Sequence, residues 1–335
     1  MTDSALRTLC KDIFPEAFAA RPCPVDEISD SSRLCANPRV SVLVATYNHE
    51  PWIRKALDSI LAQQCPFDFE ILVGDDCSTD ASRDVLREYQ QAYPDKFRLV
   101  FAKQNTRAEG IMDARDSRAR APILAFLETD DFWSSPDKLR LQVDALERDG
   151  ADVCFARTQG VDPNDCPLPK QYGMAPRYTA AVGANPRNLP HLSSWVIRRD
   201  FYRHVMFELG LPPIVRYLDL SSVALYCACG KTTVVPQFLS CYRITGKGIW
   251  TSQEDRPWEN LWVMLRAFTC LWAFLPRKSR PLKLREEIFD AAWKFLRQAP
   301  ESDISRRRSV TRVARALVPY WDLHAVLRAL RLPKD

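Results

Sequence analysis

The chain is expected to fold as an α/β protein, a doubly wound and mostly parallel sheet followed by a C-terminal helical extension. Three observations lead there. Four mostly apolar runs, Val40–Ala45, Phe69–Val73, Phe97–Phe101 and Ile123–Leu127, each give way within two residues to polar ones, as strands buried on both faces do. Ile53, Ala56, Leu57, Ile60 and Leu61 recur at helical spacing after the first run, and Val85, Leu86 and Tyr89 do so after the second. Strands alternating with helices build a parallel sheet with right-handed crossovers, so successive strand ends face one cleft. The third observation is chemical: polar residues gather where those strands end, at the sheet edge where open α/β folds bind ligands.

Length and composition bound the function. The 335 residues are 46% hydrophobic and 27% charged, enough to bury a large core and too apolar for disorder. Gly is scarce (10) and Pro plentiful (24). No GxGxxG or GxxxxGK[ST] segment occurs, which removes the main support for dinucleotide-binding and P-loop readings. The eleven Cys are mostly scattered, and none has zinc spacing. With no basic-then-apolar signal segment at the N-terminus, a reduced, cytoplasmic protein is expected, with thiols acting as small hydrophobes. The net charge of +5 is uneven: residues 276–335 hold 15 Lys+Arg against 7 Asp+Glu, and the remainder is slightly acidic.

Taken in order, residues 1–38 read as an N-terminal extension on the domain surface, with a short helical hint around Leu6 to Phe18. Val40–Ala45 is the first strand. Pro51 marks a helix start, where its missing N–H costs nothing, so Thr46–Glu50 is a strand-to-helix turn. The second strand, Phe69–Val73, ends in Gly74-Asp-Asp-Cys-Ser-Thr-Asp80, where Thr79 or Asp80 can cap the next helix. Ile123–Leu127 ends in Glu128-Thr-Asp-Asp131. Three carboxylates within four residues repel one another unless a cation joins them, and all-oxygen ligands suit Mg²⁺ or Mn²⁺. The same acids could instead serve a helix N-terminus before Pro136. One cleft is thus offered Thr46-Tyr47-Asn48, Asp75-Asp76 and Glu128-Thr-Asp-Asp131. That set suits a nucleoside diphosphate: Tyr47 to stack on a base, Asp76 to accept from a base or ribose, and a metal on Asp131 to neutralise the pyrophosphate.

The segments Val-Ser-Val-Leu-Val-Ala-Thr-Tyr-Asn, Asp-Ser-Ile-Leu-Ala-Gln-Gln, Glu-Ile-Leu-Val-Gly-Asp-Asp-Cys-Ser-Thr-Asp and Phe-Leu-Glu-Thr-Asp-Asp-Phe-Trp lie in order within residues 39–150. Together they resemble the family 2 inverting glycosyltransferases, which have the A-type, Rossmann-like nucleotide-sugar fold. Lys138-Leu-Arg-Leu-Gln-Val143 extends the likeness. The resemblance implies that Thr46 and Tyr47 meet the base, that Asp76 meets the base or ribose, that Asp130 contacts sugar or ribose, and that Asp131 binds the metal. Glu128 stands at the first acid of the family's DxD motif, one methylene longer. A nucleoside diphosphate sugar, with UDP favoured, is the expected donor.

In the second half, Ala151–Arg157 reads as a strand. A Pro-rich loop without evident structure follows from about Val161 to Pro190, on the acceptor side in this family. Ser193–Tyr202 resembles the family's next strand and helix. His191 before it could act as a general base, but an exposed loop histidine is the expectation. The family places its catalytic base at an acid before an apolar helix; Asp219 is the matching residue, preceded by Leu218 where the family has Glu. A helix N-cap is the competing use of Asp219. Thr233–Arg243 reads as strand-turn-strand. The family often has Tyr-Arg-x-His here; this chain has Thr245, and Lys247 in a Gly-flanked turn could reach the diphosphate.

From Trp258 the pattern is helical, with Trp258, Leu261, Trp262, Leu265, Phe268, Trp272 and Leu275 on one face. The run is too short to span a bilayer. Packing, including a homodimer contact, is the favoured use of this face, with peripheral membrane contact at the inner membrane surface the alternative. The expected layout is a glycosyltransferase domain over 39–250, with the nucleotide-sugar half at 39–150 and the acceptor half at 151–250, then a basic helical region over 251–335. The expected activity is metal-dependent sugar transfer with inversion to a glycan or glycolipid hydroxyl, as in bacterial surface polysaccharide synthesis, with no nucleic-acid partner. An inactive nucleotide-sugar-binding protein on the same fold is the alternative. A nucleotidyltransferase would want Gly and Lys or Arg in its first loop, and Thr46–Glu50 has neither.

Overall fold

The apolar runs form the centre of a mixed sheet in a computed structural model that describes residues 2–18, 22–185, 189–217, 219–246, 256–275 and 277–317. Strands β1 (Val25–Ile28), β2 (Val40–Thr46), β3 (Phe69–Asp75), β4 (Phe97–Ala102), β5 (Ile123–Glu128), β6 (Phe132–Trp133), β7 (Val153–Val161), β8 (Pro167–Tyr172), β9 (Val196–Arg198) and β10 (Thr232–Arg243) join in the order β1-β4-β3-β2-β5-β9-β7-β10-β6, with β8 on β7. The central run β4-β3-β2-β5 is parallel, and β7 and β10 are parallel. The other pairings, including both made by β9, are antiparallel.

Side chains alternate across a strand, and the two faces meet different helices. Val42, Val44, Ile71, Val73 and Leu99 share a core with Ile53 and Leu57 of α2 (Glu50–Leu61), Val85 and Leu86 of α3 (Ser82–Ala92), and Leu139 and Val143 of α5 (Lys138–Arg148). Leu43, Leu72, Val100, Leu124 and Phe126 belong to a second core. That core also draws on α1 (Asp3–Ile13), α4 (Glu109–Asp116), α9 (Asp219–Cys229), α10 (Pro257–Phe274) and α11 (Leu282–Gln298). Cover on both sides is the physical reason the strands are apolar without alternation.

The structure departs from the sequence expectations at several points. The segment from Val161 to Pro190 is not structureless: it carries β8 and the short helix α6 (Ala180–Gly183). Thr232–Arg243 is one strand with register shifts between Val235 and Ser240, and Pro236, which cannot donate to a ladder, lies in that irregular stretch. The first 38 residues do more than lie on the surface. β1 extends the sheet edge, and Leu6, Cys10, Ile13 and Phe14 of the α1 region are buried beside α10. Phe14 meets Trp262 edge-on at 5.4 Å, and Arg7 Nε donates to the Ala273 carbonyl at 3.2 Å. The Trp-bearing face of α10 is therefore spent on packing: Trp262, Leu265, Phe268, Trp272 and Leu275 are buried, and Trp262 also packs on Phe295 of α11. No helix among the described residues is long and apolar enough to cross a membrane.

α7 (Arg199–Arg203) follows β9, α8 (Pro213–Tyr217) precedes α9, and α12 (Ile304–Leu317) closes the described chain.

Candidate active site at the carboxyl edge of the sheet

Strand register gathers the predicted residues. Thr46 pairs with Asp75 across β2 and β3, and Ala45 pairs with Glu128 across β2 and β5. The segments after β2, β3 and β5 therefore leave the sheet side by side. The turn after β2 is fixed by its own polar groups. Asn48 adopts a positive φ of 56°, a conformation Asn tolerates well. Its N–H donates to Ser78 Oγ at 2.9 Å, and its side-chain oxygen accepts from the Thr79 N–H at 2.8 Å. Asp80 accepts from the Glu50 N–H at 3.0 Å and so serves the start of α2. Tyr47 projects with 43% of its surface exposed. The Thr46 hydroxyl and Asp75 Oδ2 are buried with no hydrogen-bond partner.

Asp76 faces inward. Its Oδ1 accepts from the Thr106 N–H at 2.7 Å and the Thr106 hydroxyl at 2.8 Å, and its Oδ2 accepts from the Ala108 N–H at 2.7 Å. Arg107 and Ala108 both have positive φ, so this carboxylate holds a strained turn beside the cleft. A base or ribose would have to use the lone pairs that remain on the same oxygens.

The acids after β5 form the electrostatic centre. Asp131 is fully buried; its Oδ1 accepts from the Arg243 N–H at 3.0 Å, and its Oδ2 accepts from the Ser193 hydroxyl. Arg243 is itself buried, and its guanidinium donates to the Asp130 carbonyl and pairs with Asp165. Asp130 Oδ1 is buried without a hydrogen-bond partner, and its Oδ2 lies 3.7 Å from His49 Nε2. Burial, then the charges of Asp130, Asp219 and Asp131, hold the Glu128 carboxyl well above the usual range. Burial, then Asp130, does the same to Asp131, against the opposing bonds from Ser193 and Arg243. Carboxylates crowded in this way repel one another unless a proton or a cation comes between them.

His191 corrects an expectation. It is only 7% exposed, with Nδ1 3.3 Å from Asp131 Oδ2. Glu128, Asp131 and His191 each offer a ligand atom, all within 4.8 Å of one another. Burial pushes the imidazolium pKa down to about 3, so the ring is neutral at ordinary pH. The donor set and the orphaned Asp130 oxygen fit a divalent ion, with Glu128 and Asp131 to hold it.

Asp219 opens α9 and is the residue the sequence singled out as base. Burial raises its carboxyl pKa to about 6, and its charge is among those acting on Glu128. The Ser221 and Ser222 hydroxyls donate back to the carbonyls of Val215 and Arg216, tying α9 to α8. Lys247 lies outside the described residues.

Residues 41–205 match the family model described as glycosyl transferase family 2. An uncharacterized protein from Mycobacterium bovis is 31% identical over 220 residues, which cover 64% of this chain and 61% of that protein. The chain thus matches less than two thirds of the length of that relative. Among solved structures, the mannosyltransferase PcManGT from Pyrobaculum calidifontis, in complex with GDP-Man and Mn²⁺, aligns with a TM-score of 0.58 and 16% identity, over 98% of this chain and 90% of that one. Residues 1–349 of TarS from S. aureus, in complex with UDP-GlcNAc, align with a TM-score of 0.55 and 19% identity, over 87% and 88%. At these identities the structural likeness shows the fold.

Proposed function

Because residues 41–205 match the glycosyl transferase family 2 model and the chain has the fold of solved glycosyltransferases, we propose that this protein transfers a sugar from a nucleoside diphosphate sugar to an acceptor hydroxyl with inversion. The observation that carries the proposal is the meeting, at one sheet edge, of Thr46 and Asp75 with Glu128 and Asp131, within electrostatic reach of Asp219.

Each group has a role. Tyr47 offers an exposed ring beside the Thr46 hydroxyl, suited to a base. Asp76 keeps the 106–108 turn in place beside it and can share a lone pair with base or ribose. Asp130 has a free buried oxygen for a sugar or ribose hydroxyl. Asp219 accepts the proton of the acceptor hydroxyl as that oxygen attacks the anomeric carbon from the face opposite the diphosphate. The new glycosidic bond forms as the old carbon–oxygen bond breaks, and the diphosphate departs with the electron pair. A divalent ion, Mn²⁺ or Mg²⁺, held by Glu128 and Asp131 would supply positive charge for that leaving group. Arg243 fixes the acidic segment through Asp131 and the Asp130 carbonyl. The sugar nucleotides bound in those two solved structures carry UDP and GDP, and UDP is our first choice here. A glycan or glycolipid of a bacterial surface polysaccharide pathway is the proposed acceptor.

The test is Mn²⁺-dependent hydrolysis and transfer across a panel of UDP-, GDP- and dTDP-sugars. Failure to bind any of them sinks the proposal, whereas binding without turnover would leave a nucleotide-sugar-binding protein. One further result is expected from calorimetry. Tyr47→Ala should weaken UDP binding by about 1–3 kcal/mol, roughly 5- to 150-fold, since stacking on an aromatic ring is worth that much per base. Its melting temperature should stay near wild type, because the ring is exposed. Unchanged UDP affinity would place the base elsewhere.

A further inference from the structure

We propose that His191 is a nitrogen ligand of the divalent ion in this cleft, and that it makes the site favour Mn²⁺ over Mg²⁺. The inference rests on the metal-binding reading of the acidic segment given above and adds a ligand from a distant part of the chain.

His191 stands at the start of a single turn, Leu192–Ser194, just ahead of β9. β9 runs antiparallel to β5, with Ala125 opposite Val196. The residues before β9 therefore run back alongside those that follow β5. The turn is keyed to the acidic segment at two further points: the Ser193 hydroxyl donates to Asp131 Oδ2, and Trp133 Nε1 donates to the Ser193 carbonyl at 3.1 Å. The imidazole is held in one orientation. It stacks on Tyr242 with ring centres 4.1 Å apart and planes 26° from parallel, and Tyr172 meets it edge-on at 5.9 Å. Tyr242 precedes Arg243, whose N–H binds the other oxygen of Asp131. The ring is thus as firmly placed as the carboxylate it faces, which is what a ligand needs.

The contact between the two also asks for a cation. His191 Nδ1 lies 3.4 Å from the Ser193 N–H, which points at it as a donor. That leaves Nδ1 unprotonated at 3.3 Å from Asp131 Oδ2, and its single lone pair would exchange the long contact with the Ser193 N–H for the ion. Two acceptors at this distance repel, and an ion between them and Glu128 turns the repulsion into coordination. Mg²⁺ prefers oxygen ligands and gives up water reluctantly, while first-row transition ions accept imidazole readily. A single nitrogen in an otherwise carboxylate site therefore shifts preference away from Mg²⁺.

The experiment is pulsed electron paramagnetic resonance on the full chain loaded with Mn²⁺ and UDP. The expected result is modulation from a directly coordinated nitrogen that changes when histidine is labelled with ¹⁵N, which separates it from the uracil nitrogens. It should persist in His49→Gln, since His49 is the other histidine near the acids among the described residues, and vanish in His191→Gln. In parallel, the ratio of Mn²⁺ to Mg²⁺ affinity should fall at least about tenfold in His191→Gln. Mn²⁺ bound to wild type without coordinated histidine nitrogen, or a signal lost in His49→Gln and kept in His191→Gln, overturns the proposal alone. Failure of wild type to bind Mn²⁺ at all removes the metal reading as well. Should His191→Gln misfold, the wild-type and His49→Gln spectra still decide.

Discussion

Asp131→Asn should abolish sugar transfer and at the same time make the metal-free protein harder to melt. The first effect follows from charge. Asp131 is fully buried at the centre of the acidic cluster, and losing its negative charge removes a ligand for the cation that balances the leaving diphosphate. Removing one such preorganised electrostatic group costs roughly 10²–10³-fold in rate, and loss of the ion itself should bring turnover to the assay floor. The second effect follows from the same crowding. The Asp131 pKa is raised in the folded protein by burial and by Asp130. A carboxyl raised in this way favours the folded state only while protonated, at pH below its unfolded value, and that contribution disappears as pH rises through the folded value. The amide can keep the bond from the Arg243 N–H and turn its NH₂ toward His191 Nδ1. The gain in melting temperature should therefore be near zero around pH 4 and grow toward neutrality. Proteins of 150–250 residues shift by about 2–4 °C per kcal/mol, so a rise of a few degrees is the readable scale. Thermal melts at several pH values with chelator present, beside a transfer assay, check both halves. A fully active Asp131→Asn enzyme, or one whose metal-free form melts lower at neutral pH, contradicts this account of the site.

Asp219→Asn should reduce kcat by about 10²–10⁴, the usual range for a lost general base, while leaving Mn²⁺ and donor affinity within a few-fold. The pH profile is the sharper readout. A base works only when ionised, and burial sets this carboxyl at about 6 in the ion-free protein. Activity in wild type should then fall as pH drops through an apparent pKa at or below 6, because a bound cation beside Glu128 pulls the limb downward. The variant should retain no such limb. If Asp219 instead only serves the start of α9, Asp219→Asn will lower stability and leave the profile in place.

The parts of this site that lie on the parallel strands could be read from the chain because their signals are local. Val40–Ala45 and Ile123–Leu127 are uninterrupted apolar runs, and whatever follows such a strand must sit at the sheet edge. His191 could not be placed this way. Its position depends on β9 pairing antiparallel with β5, a contact between residues some 70 apart, and the three-residue strand Val196–Arg198 does not announce its partner. β1 and β8 leave little trace in the sequence for a related reason. Val25-Asp-Glu-Ile28 and Pro167-Leu-Pro-Lys-Gln-Tyr172 are polar or Pro-bearing, as margin strands can be when one side lacks a neighbour. No turn interrupts Thr232–Arg243, because the sheet absorbs Pro236 as a local irregularity of one strand. The inward orientation of Asp76 depends on a turn thirty residues away, and no spacing rule would reveal it.

The burial of α1 against α10 has a consequence for how the polypeptide is made. Arg7 and its carbonyl acceptor on Ala273 are 266 positions apart. At about 5–20 residues per second of synthesis, the apolar side of α1 waits roughly 13–50 seconds on the ribosome before its partner exists. Through that interval Leu6, Cys10 and Phe14 are available to chaperones, and a ribosome stalled before α10 would release a chain with its opening helix uncovered.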